Sequence, residues 1–185
     1  FSPPAQPPQG PPQEPPDLPA AIAAALADQG WCVTDAFLPP LLMSQLRHEA
    51  EQRWEVGAFR RAGVGRGADL ELRPEVRTDR ILWLDPAGLS GAQKALWDRL
   101  EAVRLAVNRV LFLGLYELEA HFAVYPPGAY YRKHLDQFRG IDRRQLSCVL
   151  YLNDAWQREE GGALRIFTDD ADPTTCVEVL PVGAR

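Results

Sequence analysis

His134 and Asp136 stand two residues apart in the run Tyr131-Arg-Lys-His134-Leu-Asp136. In an extended strand, residues i and i+2 project from the same face. An imidazole and a carboxylate can therefore aim at one point, while Leu135 turns the other way, into the core. One nitrogen and one oxygen donor from a single strand make two corners of a 2-His-1-carboxylate facial triad, the donor set that leaves the other positions of a non-haem iron open. The same two residue types also fall two apart on ordinary solvated surfaces, and the pair alone does not choose between the readings.

The flanking segments supply further groups. Upstream, His121-Phe-Ala-Val-Tyr125-Pro-Pro-Gly128 alternates so that His121, Ala123 and Tyr125 share one face and Phe122 and Val124 the other. Downstream, Arg144-Gln-Leu-Ser147-Cys-Val-Leu-Tyr151-Leu-Asn153 places Ser147, Val149 and Tyr151 on one face. Two phenols, Tyr125 and Tyr151, can thus enter the same pocket as His134 and Asp136. A phenol is a neutral donor suited to a carboxylate in an apolar cavity. Either tyrosine also reads as an ordinary core residue. His121 reads as pocket lining rather than a ligand, and Cys148, alternating away from the pocket, as a buried small hydrophobe.

The elements that must position these groups change character along the chain. Asp17 can cap a helix that carries Ile22 and Leu26 and stops at Gly30. A short strand, Trp31–Thr34, is expected next. Pro39 and Pro40 suit the first turn of a second helix, with Leu42, Leu46 and Ala50 at four-residue spacing. A loop rich in glycine and arginine, Gly57 to Asp69, precedes a buried strand, Ile81–Leu84. A long helix from about Ala92 to Leu113 puts Leu96, Leu100, Val103, Val107 and Leu111 on one face, and Gly114 ends it. From Glu117 onward the pattern is strand-like, with candidates at 118–125, 129–135, 145–152, 163–168 and 175–180 separated by turn residues. Helices first and short strands afterwards predict an α+β domain, with supporting helices on a jelly roll whose second sheet closes over a ligand.

The order YPPG, YxKHxD (as Tyr131-Arg-Lys-His134-Leu-Asp136), a basic residue with SxVxYLN, and then Gly161-Gly-Ala-Leu-Arg165-Ile-Phe167 resembles the prolyl 4-hydroxylase group of iron- and 2-oxoglutarate-dependent oxygenases. It is similar above all to the hypoxia-sensor-like branch and its bacterial relatives, which include enzymes that hydroxylate a proline in elongation factor Tu. Arg77-Thr-Asp79-Arg-Ile-Leu-Trp83 fits the same branch, and the resemblance covers roughly residues 18–185. It implies a double-stranded β-helix and Fe(II) held by His134 and Asp136. It further implies 2-oxoglutarate lined by Tyr125, Tyr151 and Leu164, with ascorbate as reductant. Asp79 and Arg144 would form a pair linking a mobile finger loop, Gly57 to Asp69, to the pocket mouth. Arg60, Arg61 and Arg66 in that loop suit an acidic partner surface. The implied partner is a protein with a target proline, elongation factor Tu among the candidates. An oxygenase of the same fold acting on a small molecule, or a binding module without activity, stays open at this point. The resemblance also implies a second histidine ligand and a basic 2-oxoglutarate-binding residue on strands beyond residue 185. The expectation is therefore an oxygenase domain over 18–185 truncated before its C-terminal strands, with Phe1 and Arg185 read as cut ends.

Bulk properties narrow the setting. The 185 residues suffice for one domain with a core. A net charge of −5 gives no basic surplus for nucleic acid, and no apolar run is long enough for a bilayer. Cys32, Cys148 and Cys176 show no metal-like spacing, which suits a reducing, cytoplasmic compartment. Proline pairs at 3–4, 7–8, 11–12 and 15–16 mark residues 1–17 as a disordered tail.

Overall fold

The computed structural model describes residues 17–65, 71–136, 145–169, 172 and 174–185. The proline-rich run 1–16 and Arg144 lie outside the described residues.

Three helices form where local signals predict them. In α1 (Leu18–Gln29), the Asp17 carboxylate accepts from the Ala20 amide, and Gly30 closes the helix at φ 78°. The second, α2, spans Pro40–Glu55 and starts on its proline. The third, α3 (Gly91–Leu111), opens on a reciprocal capping box between Ser90 and Gln93. Glu49 of α2 accepts from both capping residues, from Ser90 Oγ at 2.7 Å and Gln93 Nε2 at 2.9 Å, and so fixes α2 against the start of α3. The end of α3 comes slightly before the expected Leu113. Phe112 itself takes the left-handed conformation at φ 53°, and Asn108 then closes the turn through its hydrogen bonds to Leu115.

The apolar stripe of α3 divides between two clusters. Ala106 and Val107 pack on Ala23 of α1, where small side chains let the two helices approach closely. Leu96 joins Leu46, Phe37, Leu38, Phe59, Phe122 and Ala184 in the main core, with Leu100 and Val103 packed at its edge.

The strands are fewer and shorter than the sequence predicts. One antiparallel sheet has the order β1 (Arg60–Arg61), β2 (Arg80–Trp83), β3 (His121–Val124). A separate hairpin pairs β4 (Leu164–Phe167) with β5 (Cys176–Val179), with Leu164 opposite Val179. The α+β class therefore holds. The expected strand at 31–34 does not form. The 129–135 strand reduces to a single bridge between Tyr131 and Arg77, flanked by backbone bonds from Thr78 to Tyr130 and from Arg132 to Val76, both 2.9 Å. The 145–152 segment forms no strand. Its described backbone pairing is Tyr151 with the 184–185 turn, through Tyr151 N to Arg185 O at 3.0 Å and Ala184 N to Tyr151 O at 2.8 Å. Cys148 is exposed, although burial around its sulfur still raises the thiol pKa, and Leu135, expected to face the core, is 85% exposed.

Candidate metal centre

His134 and Asp136 meet, although not as neighbours on a strand face. The chain bends at Lys133 and again at Asp136, and Nε2 of His134 lies 3.2 Å from Oδ1 of Asp136. Side chain–backbone and side chain–side chain bonds set this geometry. Nδ1 of His134 donates to the Arg132 carbonyl at 2.6 Å. Because a carbonyl only accepts, that bond places a proton on Nδ1 and leaves Nε2 as the nitrogen that faces Asp136. The other Asp136 oxygen, Oδ2, accepts from the Ser147 hydroxyl. The His134 pKa is raised, first by its hydrogen bond to Asp136 and also by the Arg132 carbonyl, with burial opposing. The Asp136 carboxylate thus favours the protonated imidazole.

Two donors in adjacent octahedral positions, each about 2.1 Å from a cation, stand about 3 Å apart. His134 and Asp136 fit two such positions of an Fe(II) ion. Among the described residues no cluster of three His, Cys, Asp or Glu side chains completes the set. His121 instead packs its ring 4.7 Å from that of Trp83, its cross-strand partner. His48 bonds to Gln52 along α2 at 3.0 Å.

A layered arrangement backs the imidazole. The Tyr131 ring stacks on His134 with centroids 3.5 Å apart and planes at 16°. The Arg77 guanidinium covers Tyr131 at 4.0 Å. Arg77 is itself clamped by Asp79 through two bonds of 2.8 and 2.6 Å. Asp79 is fully buried, and a buried carboxylate needs such a bidentate partner. Arg77 therefore holds both Asp79 oxygens, while the expected partner, Arg144, falls outside the described residues.

Of the expected co-substrate residues, Tyr125 lies near Asp79, Arg77, Tyr131 and Tyr151. It keeps 49% of its surface exposed, yet loss of water around its hydroxyl, with the Asp79 charge adding, pushes its pKa up to about 12. The Tyr151 pKa is also raised by burial, with the Arg185 charge opposing. Leu164 opens β4 and is partly exposed.

Residues 120–184 match the pattern of the 2OG-Fe(II) oxygenase superfamily. The chain also superposes on the crystal structure of a Pseudomonas putida prolyl-4-hydroxylase with a TM-score of 0.81 and 42% identity, covering 90% of this chain and 83% of that one. The chain belongs to the 2OG-Fe(II) oxygenase superfamily, in its prolyl-hydroxylase group. Among curated relatives of this oxygenase, the prolyl hydroxylase EGLN3 of Rattus norvegicus is 28% identical over 173 residues, 84% of this chain and 66% of the relative. Egl nine homolog 1 of Homo sapiens is 29% identical over 149 residues, 76% of this chain and 34% of the relative. The oxygenase thus spans about two thirds or less of the length of these relatives. The family takes its name from Fe(II) and 2-oxoglutarate, which is the chemistry the His134–Asp136 pair suits.

Ser147, Tyr131 and Arg77 contact the candidate pair or its stack, and sequence reasoning left them without a role. Each had a signal. Ser147 shares a strand face with Tyr151, Tyr131 opens the histidine motif, and Arg77 stands two residues before Asp79.

Proposed function

We propose that this oxygenase hydroxylates a prolyl residue in a protein substrate, with elongation factor Tu as the first substrate to test. The observation that carries the reading is the 3.2 Å approach of His134 Nε2 to Asp136 Oδ1, within a chain 42% identical to a prolyl-4-hydroxylase. Fe(II) held by His134 and Asp136 would supply oxygen activation, coupled to conversion of 2-oxoglutarate and O2 into succinate, CO2 and a hydroxylated carbon. The protein's own part is orientation. Ser147 and the Arg132 carbonyl hold the two ligands in place, and Tyr125 and Tyr151 offer neutral donors to the 2-oxoglutarate carboxylates, with Leu164 beside its chain. Asp79, with Arg144, would link the finger loop to the pocket mouth. Ascorbate is the proposed reductant and the cytoplasm the proposed compartment. Among the described residues no helix is long and apolar enough to cross a membrane.

The double-stranded β-helix, with residues 18–185 as the oxygenase domain and 1–17 as a tail, belongs to the same proposal and draws on the structural likeness to the Pseudomonas enzyme. A protein substrate is favoured over a small molecule by the 57–65 arm. It pairs with β2 through Arg60 and Arg61, both exposed, and bridges Val64 to Glu71. Two exposed arginines on an arm suit an acidic surface.

The test is turnover with Fe(II), 2-oxoglutarate, ascorbate and elongation factor Tu. The expected result is succinate released in step with the gain of one oxygen atom on a proline, with both lost in His134→Ala and Asp136→Ala. Oxygen appearing instead on a free amino acid or other small molecule, with the protein unmodified, contradicts the prolyl reading.

A further inference from the structure

The layered contact Asp79–Arg77–Tyr131–His134 runs from a buried carboxylate just before β2 to the candidate metal ligand, and the hydroxylase reading above gives Arg77 and Tyr131 no task. Its parts are specified independently. The backbone bridge between Arg77 and Tyr131 sets the two side chains opposite each other. Asp79 takes both guanidinium bonds, so the Arg77 plane cannot rotate without breaking one of them. The guanidinium face then rests on Tyr131 at 4.0 Å, and Tyr131 lies almost parallel to the imidazole at 3.5 Å. The Arg77 side chain is only 13% exposed, so water competes little for it. The same guanidinium also reaches the Gly63 carbonyl, at 3.4 Å, on the arm that carries Arg60 and Arg61.

We propose that Tyr131, clamped by Arg77, is a positioning residue for the His134 imidazole, and that Arg77 joins the 57–65 arm to that ring. The inference rests on reading His134 and Asp136 as metal ligands. Besides its contact with Asp136, the imidazole has two restraints. The Arg132 carbonyl fixes its tautomer, and the Tyr131 face fixes its plane. Removing the face leaves the ring able to swing about its Cβ–Cγ bond, which misdirects Nε2. Groups that orient a ligand in this way typically account for about 10- to 100-fold in metal affinity.

The experiment is an anaerobic titration with Co(II), read by its visible absorbance in the presence of 2-oxoglutarate, on wild type, Tyr131→Phe, Tyr131→Leu and Arg77→Lys. The ring-current shift of the His134 side-chain protons is followed alongside by NMR. Phe keeps the aromatic face and is expected to bind like wild type. Leu is expected to bind about 10- to 100-fold more weakly and to lose the ring-current shift. Lys keeps a charge opposite Asp79 but loses the planar fork. It should weaken binding in the same direction and guards against the chance that Leu simply fails to fold. If Leu loses the shift while binding Co(II) as wild type does, the positioning role is overturned and the metal-ligand reading stands. If wild type binds no Co(II), the ligand reading fails and takes this inference with it.

Discussion

The pKa of Tyr125 is pushed up to about 12, first because its hydroxyl has lost water and then by the Asp79 charge, so the phenol stays protonated well above the physiological range. A neutral phenol is the state in which it can donate to a carboxylate co-substrate. The consequence for stability has a definite sign. In the unfolded chain the phenol ionises near its ordinary value of 10.0, and in the fold near 12. Its contribution is therefore fully present below pH 10 and is lost as the pH rises through 12. Urea midpoints measured between pH 9 and pH 12 should fall more steeply for wild type than for Tyr125→Phe, and equal slopes would remove the shift. At this scale the sequence offered His134 and Asp136 as a candidate pair, because two ligand types two residues apart are a local signal, although the strand expected to align them does not form. It was silent on Tyr131 as a stacking partner and on Arg77 as the partner of Asp79. Those roles depend on residues 76–78 lying beside 130–132, a contact across more than fifty positions that no spacing along the chain encodes.

Helices were legible throughout and strands only in part, at 81–84, 118–125, 163–168 and 175–180 but not at 31–34, 129–135 or 145–152, for a physical reason visible in individual elements. Asp17, Gly30, Pro40 and the Ser90–Gln93 box act within one turn of the helix they bound, so their effect can be read locally. A strand exists only where a second backbone lies alongside. Residues 164–167 find residues 176–179 and pair in full. Residues 145–152 have strand-like alternation, yet their described backbone pairing is confined to Tyr151 against the 184–185 turn. That turn shows a second demand that composition hides. Gly183 sits so close to the Asn153 carbonyl and to Met43 Sδ, 2.7 Å from where a Cβ would stand, that any side chain forces the backbone apart. Asn153 meanwhile donates to the Pro181 carbonyl at 2.7 Å, pinning the same turn. Gly183→Ala should destabilise the protein by about 1–3 kcal/mol, the usual cost of overpacking. A urea midpoint unchanged by the substitution would show that the approach is looser than drawn.

Over the whole molecule, two clusters divide the work. The α1–α3 contact around Ala23 and Val107 is a support, and the main core around Leu46, Leu96 and Phe122 ties the helices to the sheet whose β3 strand leads into Tyr125. The motif at 131–136 then hangs from that sheet by the Arg77–Tyr131 bridge rather than by a strand of its own. Composition and a net charge of −5 fitted a globular domain without a basic surplus, but only the order of motifs indicated the family, and only the fold showed how the candidate pair His134–Asp136 is held. The central claim, that His134, Asp136 and the tyrosine-lined region form one Fe(II) and 2-oxoglutarate site, is tested most directly by an anaerobic Fe(II) titration with and without 2-oxoglutarate. Tighter Fe(II) binding when 2-oxoglutarate is present, lost in Asp136→Ala, is the result predicted. Fe(II) binding that is indifferent to 2-oxoglutarate would contradict it.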